Sequence, residues 1–198
     1  MECALKVFAS AALIAGGLAA APSTAWAGGY TIPPLSESRL DITTVNSGIH
    51  FAELGKRRQV PDITVTDPSG AAIRLNLFRG RTVLLHFWSS TCGPCIKTLA
   101  GLDHVQQVMG GPRFQVMAVS VDPGGIAAAR SFLRQQKVEN LRPYADINGT
   151  AVSAMYLRSL PTSFVIDAQG GLAMLVEGAT KWDSPEIMAH IQAIATGQ

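Results

Sequence analysis

Apolar positions follow strand-like and helix-like periods along the chain from Val60 onward. The segments 63–66 and 73–77 alternate apolar and polar residues on either side of an Asp-Pro-Ser-Gly turn, which predicts a β-hairpin. Two nearly unbroken apolar runs, 82–88 and 114–121, are typical of strands that are covered on both faces. The pattern therefore predicts one hairpin and two interior strands.

Helical periodicity appears between and after these strands. Apolar residues recur every three or four positions over 96–109, which predicts a helix with one buried face, and Gly110 is expected to end it. The segment 126–137 is also predicted to be helical. Asn148 is the expected N-cap of a short helix that continues to Tyr156.

The C-terminal part of the chain again shows strand-like and helix-like patterns. Segments 162–166 and 172–176 flank an Asp-Ala-Gln-Gly turn and predict a second hairpin. Asp183 or Ser184 is expected to cap a last helix. The order of these elements predicts an α/β fold with a central mixed β-sheet flanked by helices, and with an extra β-hairpin on its N-terminal side.

The N-terminus has the pattern of an export signal. Lys6 precedes the uncharged apolar run 7–21, and an Ala-Trp-Ala sequence ends at Ala27. Small residues at these positions fit signal peptidase cleavage, so residues 1–27 are expected to be removed and to deliver a soluble protein to the periplasm. The alternative is that residues 7–27 are kept as an anchor in the inner membrane, because the run is long enough to span.

The segment 28–59 carries weaker patterns than the rest of the chain. It is interpreted as a linker or N-terminal extension, in which Ile49, Phe51 and Leu54 form a short amphipathic turn. Residues 60–198 are then expected to form one folded domain.

Composition narrows the function classes. The chain has 198 residues, of which 47% are hydrophobic and 15% charged, so it can form a packed core. Sixteen Lys and Arg residues against 14 Asp and Glu residues leave a net charge of +2, which gives no reason to expect nucleic acid as a partner. Three cysteines are too few for a disulfide-rich scaffold.

We expect the protein to be a monomer.

The candidate chemistry lies in the Cys-Gly-Pro-Cys sequence at residues 92–95. At a strand-to-helix junction, the sulfur of Cys92 meets the free N–H groups of the helix start, which favour the thiolate over the thiol. Cys92 is therefore expected to be exposed and to attack a partner's disulfide. Cys95, one turn into the helix, is expected to be buried and to resolve the mixed disulfide. Such a redox-active disulfide needs no separate cofactor.

Other roles for the two cysteines remain open at this point. A structural disulfide would close a very small loop and stabilise the fold little. Zinc would need two more ligands. Two thiolates can also hold Cu(I), which makes a copper-handling protein the alternative from another functional class. A disulfide donor would use the same pair in the opposite redox direction.

A second signal is the Leu-Pro-Thr sequence at 160–162, because Pro161 must open a strand or form a turn. Together, the segments 87–95 and 160–167 resemble the TlpA/ResA-type periplasmic thioredoxins, with the TlpA group the nearest. The resemblance extends from about Val60 to Ile194. It implies a thioredoxin fold for the domain 60–198.

The resemblance also implies a site and a reaction. It implies that the Leu160–Pro161 bond is cis beside Cys92, and that Leu160 and Pro161 bind the substrate. The implied activity is that of a protein-disulfide reductase acting on secreted proteins. Implied clients are apocytochrome c or copper-assembly proteins of cytochrome oxidase, and the implied electron donor is a membrane thiol carrier of the DsbD/CcdA type.

Three residues close in sequence to the Cys-Gly-Pro-Cys motif lead to separate hypotheses. Thr91 stands where family members often have Trp, so the apolar rim over the site is expected to be smaller. Trp88 is expected to form a wall of the substrate-binding site. His86 is predicted to lie beneath Cys95 and to accept its proton near neutral pH. The alternative for His86 is a core histidine satisfied by a backbone carbonyl.

Overall fold

The computed structural model describes residues 41–45 and 49–197, and side chains from residue 58 to residue 197. These residues form a nine-stranded mixed sheet with four α-helices and one short 3-10 helix. The strands are β1 (Asp41–Val45), β2 (Ile49–Gln59), β3 (Thr64–Thr66), β4 (Ala72–Arg74), β5 (Thr82–Trp88), β6 (Phe114–Ser120), β7 (Pro143–Ala145), β8 (Thr162–Ile166) and β9 (Gly171–Glu177). The helices are α1 (Gly93–Met109), α2 (Gly125–Gln135), α3 (Thr150–Ala154) and α4 (Pro185–Thr196), with the 3-10 helix at Leu75–Phe78.

The sheet places β5 in its middle. The strand order is β1-β2-β9-β8-β5-β6-β7-β3-β4, with β5 parallel to β6 and antiparallel to β8. All seven residues of β5 are buried, as its unbroken apolar sequence predicted. The α/β fold with a mixed sheet and flanking helices is thereby confirmed. The carboxyl end of β5 leads through three residues, 89–91, into the Cys-Gly-Pro-Cys segment.

Side chains of β5 alternate between two hydrophobic clusters, one on each face of the sheet. Leu84 and Trp88 belong to the cluster that also contains the buried faces of α1 and α4. Phe87 packs on the opposite face, with residues of the 3-10 helix and of α3. The alternation places His86 on the same face as Leu84 and Trp88, which is the face covered by α1.

Several strands differ from the sequence-based expectations, since β1 and β2 lie within the segment 28–59 that was interpreted as a linker, and β7 was not predicted. The segment 49–59, expected to contain a short amphipathic turn, is strand β2 and pairs with β9. The strand expected over 73–77 ends at Arg74, and the chain continues as the 3-10 helix with Leu77 71% exposed. Strand β2 pairs with β1 on one side and with β9 on the other, whereas β4 pairs only with β3 and ends where that three-residue partner ends. Pairing with neighbouring strands, rather than alternation alone, therefore decides where a strand forms.

The helix caps are partly as predicted. Ser184 caps α4 by accepting a hydrogen bond from the Ile187 N–H at 3.4 Å. Asn148 does not cap α3, since Gly149 occupies the N-cap position in the left-handed conformation. The buried Asp146 takes over the capping role, because its carboxylate accepts from the Val152 N–H at 2.8 Å.

The predicted signal or anchor at residues 1–27 and the linker up to residue 40 lie outside the described residues. Across residues 41–45 and 49–197, no helix has both the length and the apolar character that crossing a membrane requires.

Candidate active site

The two cysteines of the motif form a disulfide at the junction between β5 and α1. The Cys92 and Cys95 sulfurs are 2.03 Å apart, and the two Cα atoms are 5.2 Å apart. Cys92 is the N-cap of α1, and Pro94 lies in the first turn, where its missing N–H costs no hydrogen bond. The predicted strand-to-helix junction is therefore present.

The environments of the two sulfurs differ. The Cys92 sulfur accepts a hydrogen bond from the Cys95 N–H at 3.2 Å, so it lies at the positive end of the α1 dipole. Cys92 is half-buried rather than fully exposed, whereas Cys95 is completely buried. A molecule arriving from solvent can therefore reach Cys92 and not Cys95.

A buried carboxylate anchors the turn that leads into Cys92. Asp122 lies two residues after the end of β6. Its Oδ1 accepts from the Ser89 hydroxyl at 2.6 Å, while Oδ2 accepts from the Ser90 N–H at 2.9 Å. Sequence reasoning missed this residue. The available signal was that β5 and β6 are adjacent and parallel, so the residues that follow them meet at one edge of the sheet.

His86 lies fully buried beneath α1, in contact with two hydroxyl groups. Its Nδ1 is 2.7 Å from the Ser163 Oγ, and its Nε2 is 3.4 Å from the Thr98 Oγ1. The Thr98 hydroxyl donates to the Cys95 carbonyl oxygen at 2.7 Å. Because that proton is used, Nε2 must carry the hydrogen towards Thr98, and Nδ1 accepts from Ser163.

This environment bears on the predicted role of His86, which stays a prediction. Desolvation by burial lowers the pKa of His86 to about 3. In the disulfide form the imidazole is therefore neutral at neutral pH, and its one acceptor nitrogen is already bonded to Ser163. The hydroxyl contacts favour the alternative of a core histidine, with Ser163 and Thr98 in place of the backbone carbonyl considered above. Proton transfer from Cys95 belongs to the reduced dithiol and stays a prediction.

The Leu160–Pro161 bond is cis, as the resemblance implied. Pro161 is buried, and its carbonyl oxygen accepts from the Gly178 N–H at 2.8 Å. Strand β8 begins at the next residue, which pairs with Phe87 of β5, so the proline lies at the same end of the sheet as the cysteines. Half-buried Leu160 and Cys92 both pack against the hydrophobic cluster under α1.

Trp88 lies beneath the site rather than on its rim. The side chain is completely buried, and its ring centroid is 5.5 Å from that of Phe132. The expectation that Trp88 forms a wall in contact with substrate is therefore corrected, because a strand residue facing α1 is covered by the helix.

Among residues 58–197, no three His, Cys, Asp or Glu side chains are grouped so that they could hold a metal ion.

Comparison with known proteins identifies the family. Residues 57–174 match the AhpC/TSA family. The chain is 31% identical over 127 residues to the thiol-disulfide oxidoreductase ResA of Bacillus thuringiensis subsp. konkukian, covering 64% of this chain and 70% of the relative. ResA of Bacillus subtilis is 27% identical over 118 residues, covering 60% of this chain and 65% of the relative.

Solved structures agree with this assignment. The fold superposes with a TM-score of 0.63 on a protein of Chlorobium tepidum described as the thiol:disulfide interchange protein DsbE, which is 29% identical and matches over 72% of this chain and 99% of its own. StoA of Bacillus subtilis, at 18% identity and a TM-score of 0.55 over 66% of this chain and 96% of its own, shares the fold. With a disulfide at the start of α1 and relatives that exchange thiols and disulfides, the chain belongs to the AhpC/TSA family and is a thiol-disulfide oxidoreductase of the ResA and DsbE type.

Proposed function

We propose that this oxidoreductase works as an exported reductant of protein disulfides, with Cys92 as the attacking residue and Cys95 as the resolving residue. The observation that carries the proposal is the asymmetry of the pair. Cys92 is partly exposed and accepts the Cys95 N–H at the start of α1, while Cys95 is completely buried. A helix N-terminus stabilises the thiolate, which is the form that attacks disulfides.

The exchange proceeds in two steps that conserve electrons. The Cys92 thiolate attacks one sulfur of a client disulfide, forms a mixed disulfide and displaces the other client sulfur as a thiolate. The Cys95 thiolate then attacks the Cys92 sulfur and releases the second client sulfur. Two electrons pass to the client, and the oxidised product is the Cys92–Cys95 disulfide. A membrane thiol carrier of the DsbD/CcdA type would return it to the dithiol.

The client is proposed to lie along Leu160 and Pro161. Strand β8 begins after Pro161, so Leu160 lies just before the first residue of that strand. An extended client segment can pair with the backbone of Leu160 there. Leu160 also lines an open groove with Val121, Val152 and Leu157. Because Asp146, Asn148 and Arg158 also line the groove, a client segment with both apolar and polar side chains would fit it.

The proposed clients are secreted proteins, with apocytochrome c or copper-assembly proteins of cytochrome oxidase as the specific classes. Support comes from the resemblance to the TlpA/ResA type and from the signal-like pattern of residues 1–27. The periplasm is the corresponding compartment, with the protein either released or anchored through residues 7–27. The Cu(I)-handling alternative uses the same two thiolates and stays a second hypothesis.

Trapping of the mixed disulfide tests the order of the two cysteines. The Cys95→Ser variant, mixed in its reduced form with a peptide that contains one disulfide, should accumulate a covalent adduct that mass spectrometry locates at Cys92. The Cys92→Ser variant is the matched control and should form at least tenfold less adduct, because Cys95 is buried. Equal trapping by the two variants would contradict the proposed roles.

A further inference from the structure

A continuous series of hydrogen bonds joins the end of β6 to the turn before Cys92. Asp122 is only 8% exposed, and its carboxylate accepts from the Ser89 hydroxyl at 2.6 Å, the Ser90 N–H at 2.9 Å and the Ser120 hydroxyl at 3.0 Å. Two of these three donors belong to the turn. The carboxylate therefore connects the ends of two parallel strands, β5 and β6.

The directions of these hydrogen bonds extend the series to the catalytic motif. The Ser89 hydroxyl gives its proton to Asp122, so in the 3.0 Å contact between the Ser89 and Thr91 hydroxyls the donor must be Thr91. The Thr91 N–H also donates to the Ser89 Oγ, at 3.3 Å. The Ser89 carbonyl oxygen then accepts the Cys92 N–H at 3.1 Å and closes the turn.

The Asp122 carboxylate stays ionised in this environment. Burial raises the pKa of Asp122, but the hydrogen bonds from Ser89, Ser90 and Ser120 outweigh burial and leave the pKa below its ordinary value. Hydrogen bonds to an ionised acceptor are roughly twice as strong as those between neutral groups. The turn before Cys92 is therefore attached to β6 more firmly than a neutral side chain would allow.

We propose that Asp122 is a positioning residue for thiol–disulfide exchange, which fixes the turn Ser89–Thr91 and so holds the Cys92 sulfur over the first amide groups of α1. The inference rests on the proposed role of Cys92 as the attacking residue. The stabilisation of an anion by a helix start fades within the first turn, so it depends on an accurately placed sulfur. The Thr91 hydroxyl completes the series of hydrogen bonds, which gives Thr91 a function in this arrangement.

The proposal competes with a simple electrostatic effect of opposite sign. A carboxylate near Cys92 also repels a thiolate, and its removal would then lower the pKa of the Cys92 thiol. Loss of positioning would raise that pKa instead. The sign of the change therefore distinguishes the two effects.

The test measures the pKa of Cys92 in the reduced full-length protein. The rate of alkylation by iodoacetamide is followed against pH, and the labelled cysteine is identified by peptide mass. Asp122→Ala should raise the pKa of the Cys92 thiol by about 0.5–1 unit, the size expected for losing contact with a helix start. At pH 6–7 its alkylation should be about three- to tenfold slower than in the wild type, and at high pH the two rates should converge.

Three further variants separate positioning from general destabilisation. Asp122→Asn keeps one acceptor oxygen and should give a pKa between those of the wild type and Asp122→Ala. Thr91→Val removes one hydroxyl and should raise the pKa slightly. Asp167→Asn is the matched control, since its buried carboxylate accepts from the Gln169 and Gly171 N–H groups at the far end of β8, and it should leave the pKa of Cys92 unchanged.

Two results would overturn the proposal. An unchanged pKa of Cys92 with a lower melting temperature would make Asp122 purely structural, and a lowered pKa would make repulsion the main effect. If Asp122→Ala does not fold, the pKa of Cys92 in Asp122→Asn and in Thr91→Val distinguishes the same outcomes. If Cys95 is labelled first in the wild type, the proposed roles of the cysteines fail, which is a distinct outcome from a failure of Asp122 alone.

Discussion

At the scale of single residues, the site depends on which groups hold a charge and which stay neutral. Asp122 remains ionised because hydrogen bonds outweigh its burial, whereas His86 stays neutral because its burial is complete. The sequence suffices to predict Cys92 and Cys95, since their chemistry follows from local spacing. The sequence does not suffice to predict the pKa of His86, because that pKa depends on burial of the side chain under α1 and on the hydrogen bond with Ser163 of the neighbouring strand.

The burial of His86 predicts a particular dependence of stability on pH. Its pKa is about 3 in the folded chain against 6.5 for an ordinary histidine, so between these values the unfolded chain binds more protons. Stability is then fully present above pH 6.5 and falls as the pH is lowered towards 3, by up to about 1.4 kcal/mol per pH unit.

The measurement is urea unfolding of the wild type and of His86→Asn at several pH values. Asparagine does not titrate, so the variant should lose less stability over this window than the wild type does. All carboxylates are common to both proteins and serve as the internal control. Parallel pH curves for the two proteins would show that His86 is not held neutral by the fold.

At the scale of elements, helix α1 connects the redox chemistry to the core. Its periodicity predicted one buried face, and Leu99, Leu102 and Val105 are indeed almost fully buried in the cluster shared with α4. The same reasoning predicted the short helix α3 but not its cap, and it missed the strand β7. A three-residue strand such as β7 has too few positions to show a period, and α3 is capped by Asp146 from outside its own sequence.

A pair of substitutions in α1 tests this packing. Leu102→Ala should lower the free energy of unfolding by about 2–5 kcal/mol, because it leaves a cavity at a completely buried position. Val108→Ala is the matched control on the same helix and should change stability by less than about 0.5 kcal/mol, since Val108 is 58% exposed. Chemical denaturation measures both, and equal losses would contradict the assigned buried face.

At the scale of the whole molecule, the sheet brings distant segments together around one end of β5. The cysteines follow β5, Asp122 follows β6, and Pro161 precedes β8, so three separate parts of the chain meet at one edge. The pattern of 60–198 predicted β5, β6 and β8 and the cysteines after β5, the resemblance implied Pro161 beside Cys92, and the contribution of Asp122 was missed. Strand β2 pairs with the adjacent β1 and also with β9, which lies more than 100 residues away, and the sequence pattern of 41–59 does not indicate the pairing with β9.

The equilibrium reduction potential of the Cys92–Cys95 pair tests the central claim most directly. The full-length protein is equilibrated with a series of dithiothreitol or glutathione redox buffers, and the fraction of free thiols is measured by alkylation and mass. A reductant should have a potential near that of thioredoxin, about −270 mV. A potential near that of a disulfide donor, about −120 mV, would contradict the proposed direction and make the protein an oxidant.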